Sequence, residues 1–576
     1  MPEAEHFEAV VVGSGFGGSV MAYRLAEAGL TVCMLERGKR YPPGSFARTP
    51  REMRNNFWDP SEGRLGLFQA WRFEGIDSLV SAGLGGGSLI YANVLIRKDD
   101  HWFYRRRPDG SVGPWPVSRV QLDPHYDSVE AMIDPQRYPF DRHPYDQTPK
   151  TVAFKEAAER AGMEWHLPNL GVTFANASER PMLGEVVRDS HGGSTDNLHG
   201  QTRTTCRLCG ECDIGCNYGS KNTLDFNYLT HADRLGAHLR DHCEVRTLAP
   251  RPEGGFVVRY VVHSDDAEGT ASDTSRLPLV EVTCDRLVLS AGTFGTTHLL
   301  LKNRHNFPGI SDRLGHFFSG NGDFLGLVHH SRVIVDGKES ARELAPSRGP
   351  VITSTVRMPD TSDGGSGPGF YLQDGGYPGF VDWLVEASNG AAVARRAFHF
   401  ADEWVRNRVT GGSQSDLDSA LVALIGDGHR SAGLLPLLAM GLDVPNGVIS
   451  LDNRGNLALD WSPDRSSEYF SRVIEAMKEI AKELGGEMQV DPLWHLRHKV
   501  VTVHPVGGCS MGTGPDDGVV DSHGEVFGYP GLVIADGSVM PGPVGPNPSL
   551  TIAALADRFA DGLVCSGALH PVSRRR

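Results

Sequence analysis

The first forty residues alternate between buried-strand and helix patterns. Glu8 to Val12 (E-A-V-V-V) is a short apolar run that breaks into Gly13-Ser14-Gly15-Phe16-Gly17-Gly18. Apolar positions then recur at helical spacing at Val20, Met21 and Leu25. A second run, Thr31 to Leu35 (T-V-C-M-L), ends in Glu36. The pattern predicts strand, glycine turn, helix and strand. Farther on, Val152 to Ala161 predicts a helix. Phe256 to His263 and Leu279 to Thr283 predict a hairpin-like pair around a polar, acidic insert, followed by a separate strand at 286 to 291. Ser467 to Leu484 places Phe470, Val473, Ile474, Met477, Ile480, Ala481 and Leu484 on one helix face, closed by Gly485-Gly486. Gly433 to Leu442 is almost unbroken apolar sequence, too short to span a bilayer, and reads as core or cavity wall, with a lip that touches a membrane holding a lipid substrate as the alternative.

The opening turn carries chemistry. Gly13 permits the tight turn, Gly15 lets the backbone approach a pyrophosphate, and Gly18 allows the helix to pack closely on the strand. The helix N-terminus offers unpaired N–H groups to phosphate. Glu36, at the end of the second strand, stands where a carboxylate accepts ribose hydroxyl protons. A dinucleotide site follows, but not which dinucleotide.

Composition narrows the classes. The 576 residues are 40% hydrophobic and 22% charged, a globular balance. A formal charge of −15 argues against nucleic acid or an anionic membrane as partner. The acidic start M-P-E-A-E runs directly into the first strand, and about 18 apolar residues nowhere run together, so a cytoplasmic protein without membrane insertion is expected. Arg105-Arg106-Arg107 reads as a solvated loop. His101 with His125, or His329 with His330, lack metal-ligand spacing.

Three further segments settle a resemblance. They are G-L-G-G-G-S-L-I-Y-A-N (83 to 93), R-L-V-L-S-A-G-T (286 to 293), and a C-terminal stretch running from H-P-V-G-G-C at His504 to A-D-G-S-V-M-P-G-P-V-G-P-N-P-S around Asn547. With the N-terminal turn, they resemble the glucose-methanol-choline (GMC) flavoprotein oxidoreductases. G-S-K-N-T-L-D-F-N-Y-L (219 to 229) and A-G-T-F-G-T-T-H-L-L are similar to the cholesterol-oxidase-like, mycobacterial-type branch. The resemblance covers nearly the whole chain, least well at 101 to 200 and 330 to 450.

It implies an α/β fold: a Rossmann-type FAD-binding domain of the GMC/PHBH-like kind with an interleaved α+β substrate-binding domain. The expected division is 1–100 FAD-binding with both glycine signatures, 101–200 a loop-rich cap, 201–320 FAD-binding with a cysteine-rich loop at 206–216, 321–495 substrate-binding, and 496–576 FAD-binding with the catalytic pair. FAD contacts carry over to Gly13, Gly15, Gly18, Glu36, Gly85, Gly86, Ser88, Asn93, Val245, Asp536, Gly537 and Asn547. The catalytic pair falls on His504 and Asn547. Asn321, in S-G-N-G-D, matches a polar residue near the flavin.

The implied reaction is oxidation of an alcohol, a sterol or another bulky hydrophobic secondary alcohol, by hydride transfer to flavin N5. His504 takes the hydroxyl proton, since an imidazole titrates near neutrality. One departure bears on the substrate: steroid oxidases of this branch place a Glu in the cavity, and F-Y-L-Q-D-G-G puts Gln373 there with Asp374 beside it. A carboxamide is no base. Either Asp374 substitutes by a small register shift, or oxidation proceeds without double-bond isomerisation. Three outcomes stay open: an oxidase that uses oxygen, a dehydrogenase that passes electrons to a partner or quinone, and a non-redox lyase.

Cys206, Cys209, Cys212 and Cys216 hold the spacing C-x2-C-x2-C-x3-C. Bacterial ferredoxin ligands share it, although there the fourth cysteine serves a second cluster and precedes Pro, whereas Asn217 follows here. An iron–sulfur cluster, zinc and a metal-free loop remain alternatives.

Overall fold

The computed structural model describes residues 4–106, 110–177, 179–188, 196–378, 433–490, 494 and 498–568. The N-terminal pattern forms as expected. Glu5–Val12 is a strand, Phe16–Glu27 a helix and Val32–Leu35 a second strand whose four residues are all buried. Runs of Val, Leu and Met buried on both faces are what the inner strands of a parallel sheet require.

Seven strands make the first sheet. Its order is His238–Arg240, Val32–Leu35, Glu5–Val12, Val280–Leu289, Phe256–Val262 and Cys243–Pro250, with Leu532–Ile534 joining Val280–Leu289. Glu5–Val12 runs parallel to both its neighbours. The hairpin arm and the cofactor strand expected separately are one strand: Val280 to Cys284 pair antiparallel with Phe256–Tyr260, and Leu287 to Leu289 pair parallel with Leu532–Ile534. Segments more than 500 residues apart thus share one sheet. The first helix also packs on the last, Ser549–Ala568, and Arg24 pairs with Asp557 across that contact.

The second sheet has six strands in the order Glu164–His166, Thr355–Met358, Phe370–Asp374, Leu435–Gly441, Phe324–His329 and Glu487–Val490, all antiparallel. Strand side chains alternate faces. Phe370, Leu372, Leu435, Leu437 and Ala439 share a core with the helices Pro149–Arg160 and Ser467–Glu483. Tyr371, Leu438 and Met440 sit in a separate cluster with Trp102 on the opposite face. Leu435–Gly441 is an inner strand, and the buried residues of the apolar run around it belong to the core. Among the described residues no helix is long and apolar enough to cross a membrane.

The helix Pro149–Arg160 starts three residues before the apolar pattern, because Pro149 occupies its first position, where a missing N–H costs nothing. The solvated-loop expectation fails for Arg105. Its side chain is buried, pairs with Asp517 at 2.6 Å and lies 4.4 Å from the centre of the Phe317 ring. Arg107 lies outside the described residues.

Candidate active site

Two glycine turns meet at the end of the first sheet. At Gly13 (φ +96°) a Cβ would lie 2.3 Å from the Ser290 carbonyl oxygen, and at Gly18 2.0 Å from that of Gly13, so helix and strand approach more closely than any side chain allows. Gly15 differs: a Cβ there would meet nothing within 4 Å, and the residue caps the helix N-terminus, leaving room for phosphate beside unpaired N–H groups. Gly85 and Gly86 both have positive φ, and a Cβ on Gly86 would fall 2.5 Å from the Gly15 Cα. Ser14 Oγ joins the turns, accepting from Gly85 N–H at 3.0 Å and donating to Glu36 at 2.6 Å.

The Glu36 carboxylate is buried, and burial pushes its pKa up. It accepts from Ser14 N–H at 3.0 Å, Ser14 Oγ at 2.6 Å and Gly38 N–H at 2.9 Å. A carboxylate has about four acceptor positions, so roughly one is left for a ribose hydroxyl. Val245 follows close by, since Cys243 N–H donates to the Glu36 carbonyl at 2.7 Å. Ser88 and Asp536 brace backbone. The Ser88 hydroxyl donates to Gly85 O at 2.7 Å and accepts from Leu224 N–H at 3.1 Å. Asp536 accepts from Ser538 N–H and Oγ, Gly292 N–H and Thr296 Oγ1, holding the A-D-G turn, with Gly537, against the A-G-T turn. Asn93 is wholly buried, with neither amide atom partnered among the described residues. A buried carboxamide needs a partner. The open face at Gly15 and the unsatisfied Asn93 fit a dinucleotide cofactor.

His504 and Asn547 are held by one short segment, Ser319 to Asp323. Ser319 exchanges backbone hydrogen bonds with Val506 in both directions at 3.0 Å. Asn321, at φ +55°, accepts from Val544 N–H at 2.7 Å and Gly545 N–H at 3.2 Å, and donates to Pro546 O at 3.1 Å. It shapes the loop before Asn547. Asp323 Oδ1 lies 2.8 Å from His504 Nδ1, and Oδ2 accepts from Thr502 Oγ1, Val503 N–H and His504 N–H. A carboxylate on Nδ1 places the proton there and leaves the Nε2 lone pair available. Thr502 ends a strand, Val500–Thr502, paired with Ile76–Ser81, which fixes the approach to His504.

Gln373 Nε2 donates to Asn547 Oδ1 at 2.8 Å, and Gln373 Oε1 is buried without a partner among the described residues. Gln373 thus belongs to the site, but Asp374 does not. The neighbouring residue in a strand faces the other way, and Asp374 reaches Lys150 at 2.7 Å, Thr353 Oγ1 at 2.5 Å and the N–H groups of Thr353 and Ser354. The register-shift expectation for Asp374 fails on that alternation.

Sequence reasoning passed over three residues. Asp323 stood in S-G-N-G-D beside the chosen Asn321. Lys98 is buried, donates to the Pro543 and Val544 carbonyls at 3.0 and 2.9 Å, and has its pKa driven well down by burial. No local signal marks it. Asp443 lies behind the site, 2.5 Å from Ser319 Oγ, where burial and the Asp323 charge push its carboxyl up to about 7. His329 and His330, passed over as ligands, group with Glu487 within 4.8 Å at the end of the second sheet.

Residues 452–556 match the GMC oxidoreductase family, and residues 11–57 an NAD(P)-binding Rossmann-like domain. A cholesterol oxidase of Mycobacterium tuberculosis is 30% identical over 96% of this chain and 90% of its own. The chain belongs to the GMC oxidoreductases. Within the family it is similar to a second cholesterol oxidase, from Acinetobacter baumannii, at 27% identity over 96% of this chain and 93% of the other. The fold is shared with pyridoxine 4-oxidase from Mesorbium loti, at TM-score 0.55 and 18% identity, covering 96% of this chain and 98% of that one. This GMC oxidoreductase is therefore an FAD-dependent alcohol oxidoreductase of cholesterol-oxidase-like type.

Proposed function

We propose that the enzyme oxidises a bulky, apolar secondary alcohol of the sterol class, with His504 as the group that takes the hydroxyl proton. The observation that carries this is the shared hold of Ser319–Asp323 on the two catalytic loops, with Asp323 fixing the imidazole and leaving Nε2 to face the alcohol. Bound FAD supplies the hydride acceptor. Asn547, whose Oδ1 is taken by Gln373, turns its N–H donors to the substrate oxygen and orients the carbinol without changing charge. Lys98 and Asn321 set the loop that delivers Asn547.

The apolar part of the substrate is matched by the second sheet. On the face that carries Gln373, Leu438 lies directly across the strands, and Leu325 beyond it. Both are half-buried. Burial of sterol-sized apolar surface against such a wall is favourable by roughly 25 cal/mol per Å². Gln373 carries no basic oxygen able to move a proton, so oxidation proceeds without double-bond isomerisation.

Anaerobic bleaching of the flavin against sterols, long-chain alcohols and sugars tests the reading. Sterols should bleach it fastest, and bleaching by sugars alone overturns the substrate class. Oxygen is the acceptor if air then restores the colour with peroxide release; reoxidation only by added quinone marks a dehydrogenase. No bleaching by any alcohol would favour a lyase.

A further inference from the structure

The four cysteines of the 206–216 loop have no part in the alcohol chemistry, yet the fold gathers them. Cys206, Cys209, Cys212 and Cys216 all line one cavity. The gathering depends on backbone turns: Leu208, Gly210 and Gly215 have φ of +59°, +68° and +89°. A left-handed conformation is uncommon for leucine and is kept only where the surroundings enforce it. The turns are clamped to a distant strand connection, Gly210 N–H donating to Gly349 O at 2.9 Å and Gly349 N–H to Leu208 O at 3.1 Å.

Backbone groups also aim at the sulfurs. Leu208 N–H donates to Cys206 Sγ at 3.4 Å, and the backbones of Glu211 and Val351 hydrogen-bond to Cys209 and Cys212. Lys221, buried beside Cys212 and Cys216, places a cation against these thiols. Its own hydrogen bonds go to carbonyls, of Leu89, Tyr91 and Cys212, at 2.8 to 3.1 Å. Leu89 and Tyr91 directly follow the second glycine turn, so the cysteine loop is fastened to the cofactor cradle.

We infer that this cavity is an iron–sulfur cluster site of the four-iron type, with all four cysteines as ligands to one cluster. In two-cluster ferredoxins of this spacing the fourth cysteine serves the other cluster; here Cys216 shares the cavity of the other three. A single tetrahedral zinc at Zn–S 2.3 Å needs sulfurs about 3.8 Å apart. Among the described residues the trio of ligand groups within 4.8 Å of one another is His329, His330 and Glu487, not a trio of these sulfurs. No three of these sulfurs therefore stand as close together as one zinc would hold them. Anionic thiolates and inorganic sulfide would be met by the Lys221 ammonium and by backbone N–H groups, the interactions that hold such clusters.

The test uses the full-length, FAD-loaded protein, purified anaerobically and incubated with ferrous iron and sulfide. About four iron and four acid-labile sulfide per chain are expected, with a visible band bleached by dithionite in addition to that of the flavin. Cys212→Ser/Cys216→Ser should lose iron and sulfide while keeping FAD. If that variant does not fold, the wild-type iron and sulfide content decides alone. FAD-loaded protein with neither iron nor sulfide overturns the inference, as does one zinc per chain without sulfide. Neither result bears on the alcohol site, which is read by flavin bleaching.

Discussion

Gln373 Nε2 donates to Asn547 Oδ1 at 2.8 Å, between residues 174 positions apart in the chain. The bond occupies Asn547 Oδ1 and leaves the amide N–H groups of Asn547 as the free end. Gln373→Leu removes a neutral hydrogen bond worth about 1 kcal/mol, so kcat/KM should fall roughly fivefold with FAD content unchanged. With a sterol carrying a 5,6 double bond, the wild-type ketone should lack conjugated-enone absorbance. Conjugated product from the wild type would show that another group moves the proton.

His504→Ala should keep FAD bound and lose at least about a hundredfold in kcat. Asp323→Asn, which retains the shape and removes the charge on Nδ1, should cost on the order of ten- to a hundredfold through misorientation. Stopped-flow flavin reduction measures both, and unchanged rates in His504→Ala would remove it from the mechanism.

Glu36→Ala should weaken FAD retention, since the charge-assisted bonds from Ser14 and Gly38 and that to the ribose are lost together. The measurement is flavin-to-protein ratio after dialysis. A fully yellow variant of unaltered affinity would show that the ribose is held elsewhere.

Asp443 gives a pH signature. Its folded pKa, about 7, lies above the ordinary carboxyl value, so the folded state binds its proton more tightly than the unfolded chain. That stabilisation is fully present below the unfolded pKa and disappears as pH rises through about 7. The melting temperature of Asp443→Asn relative to wild type should therefore rise from about pH 4 to about pH 7 and level off above it. A constant difference would show that Asp443 is ionised throughout.

The sequence by itself determined the local devices. Gly13, Gly15 and Gly18 stand at fixed offsets between a strand and a helix, and their steric reasons lie within a few residues, so the cradle was readable without the fold. The helix Ser467–Glu483 was equally plain, because one face in a 3.6-residue period declares its burial. His504 and Asn547 were singled out only through a family resemblance, since their Gly and Pro turns are common in loops. What only the tertiary structure decided is partnership. Asp323 meets His504 across 181 residues, and no local pattern encodes that pairing. Whether Gln373 or Asp374 faces the site depends on the register of Phe370–Asp374 against its neighbours, since a shift of one residue exchanges the two faces. The cysteine spacing likewise left open whether Cys216 joins the other three. Gly349, far away in the chain, clamps the turn that brings all four to one cavity.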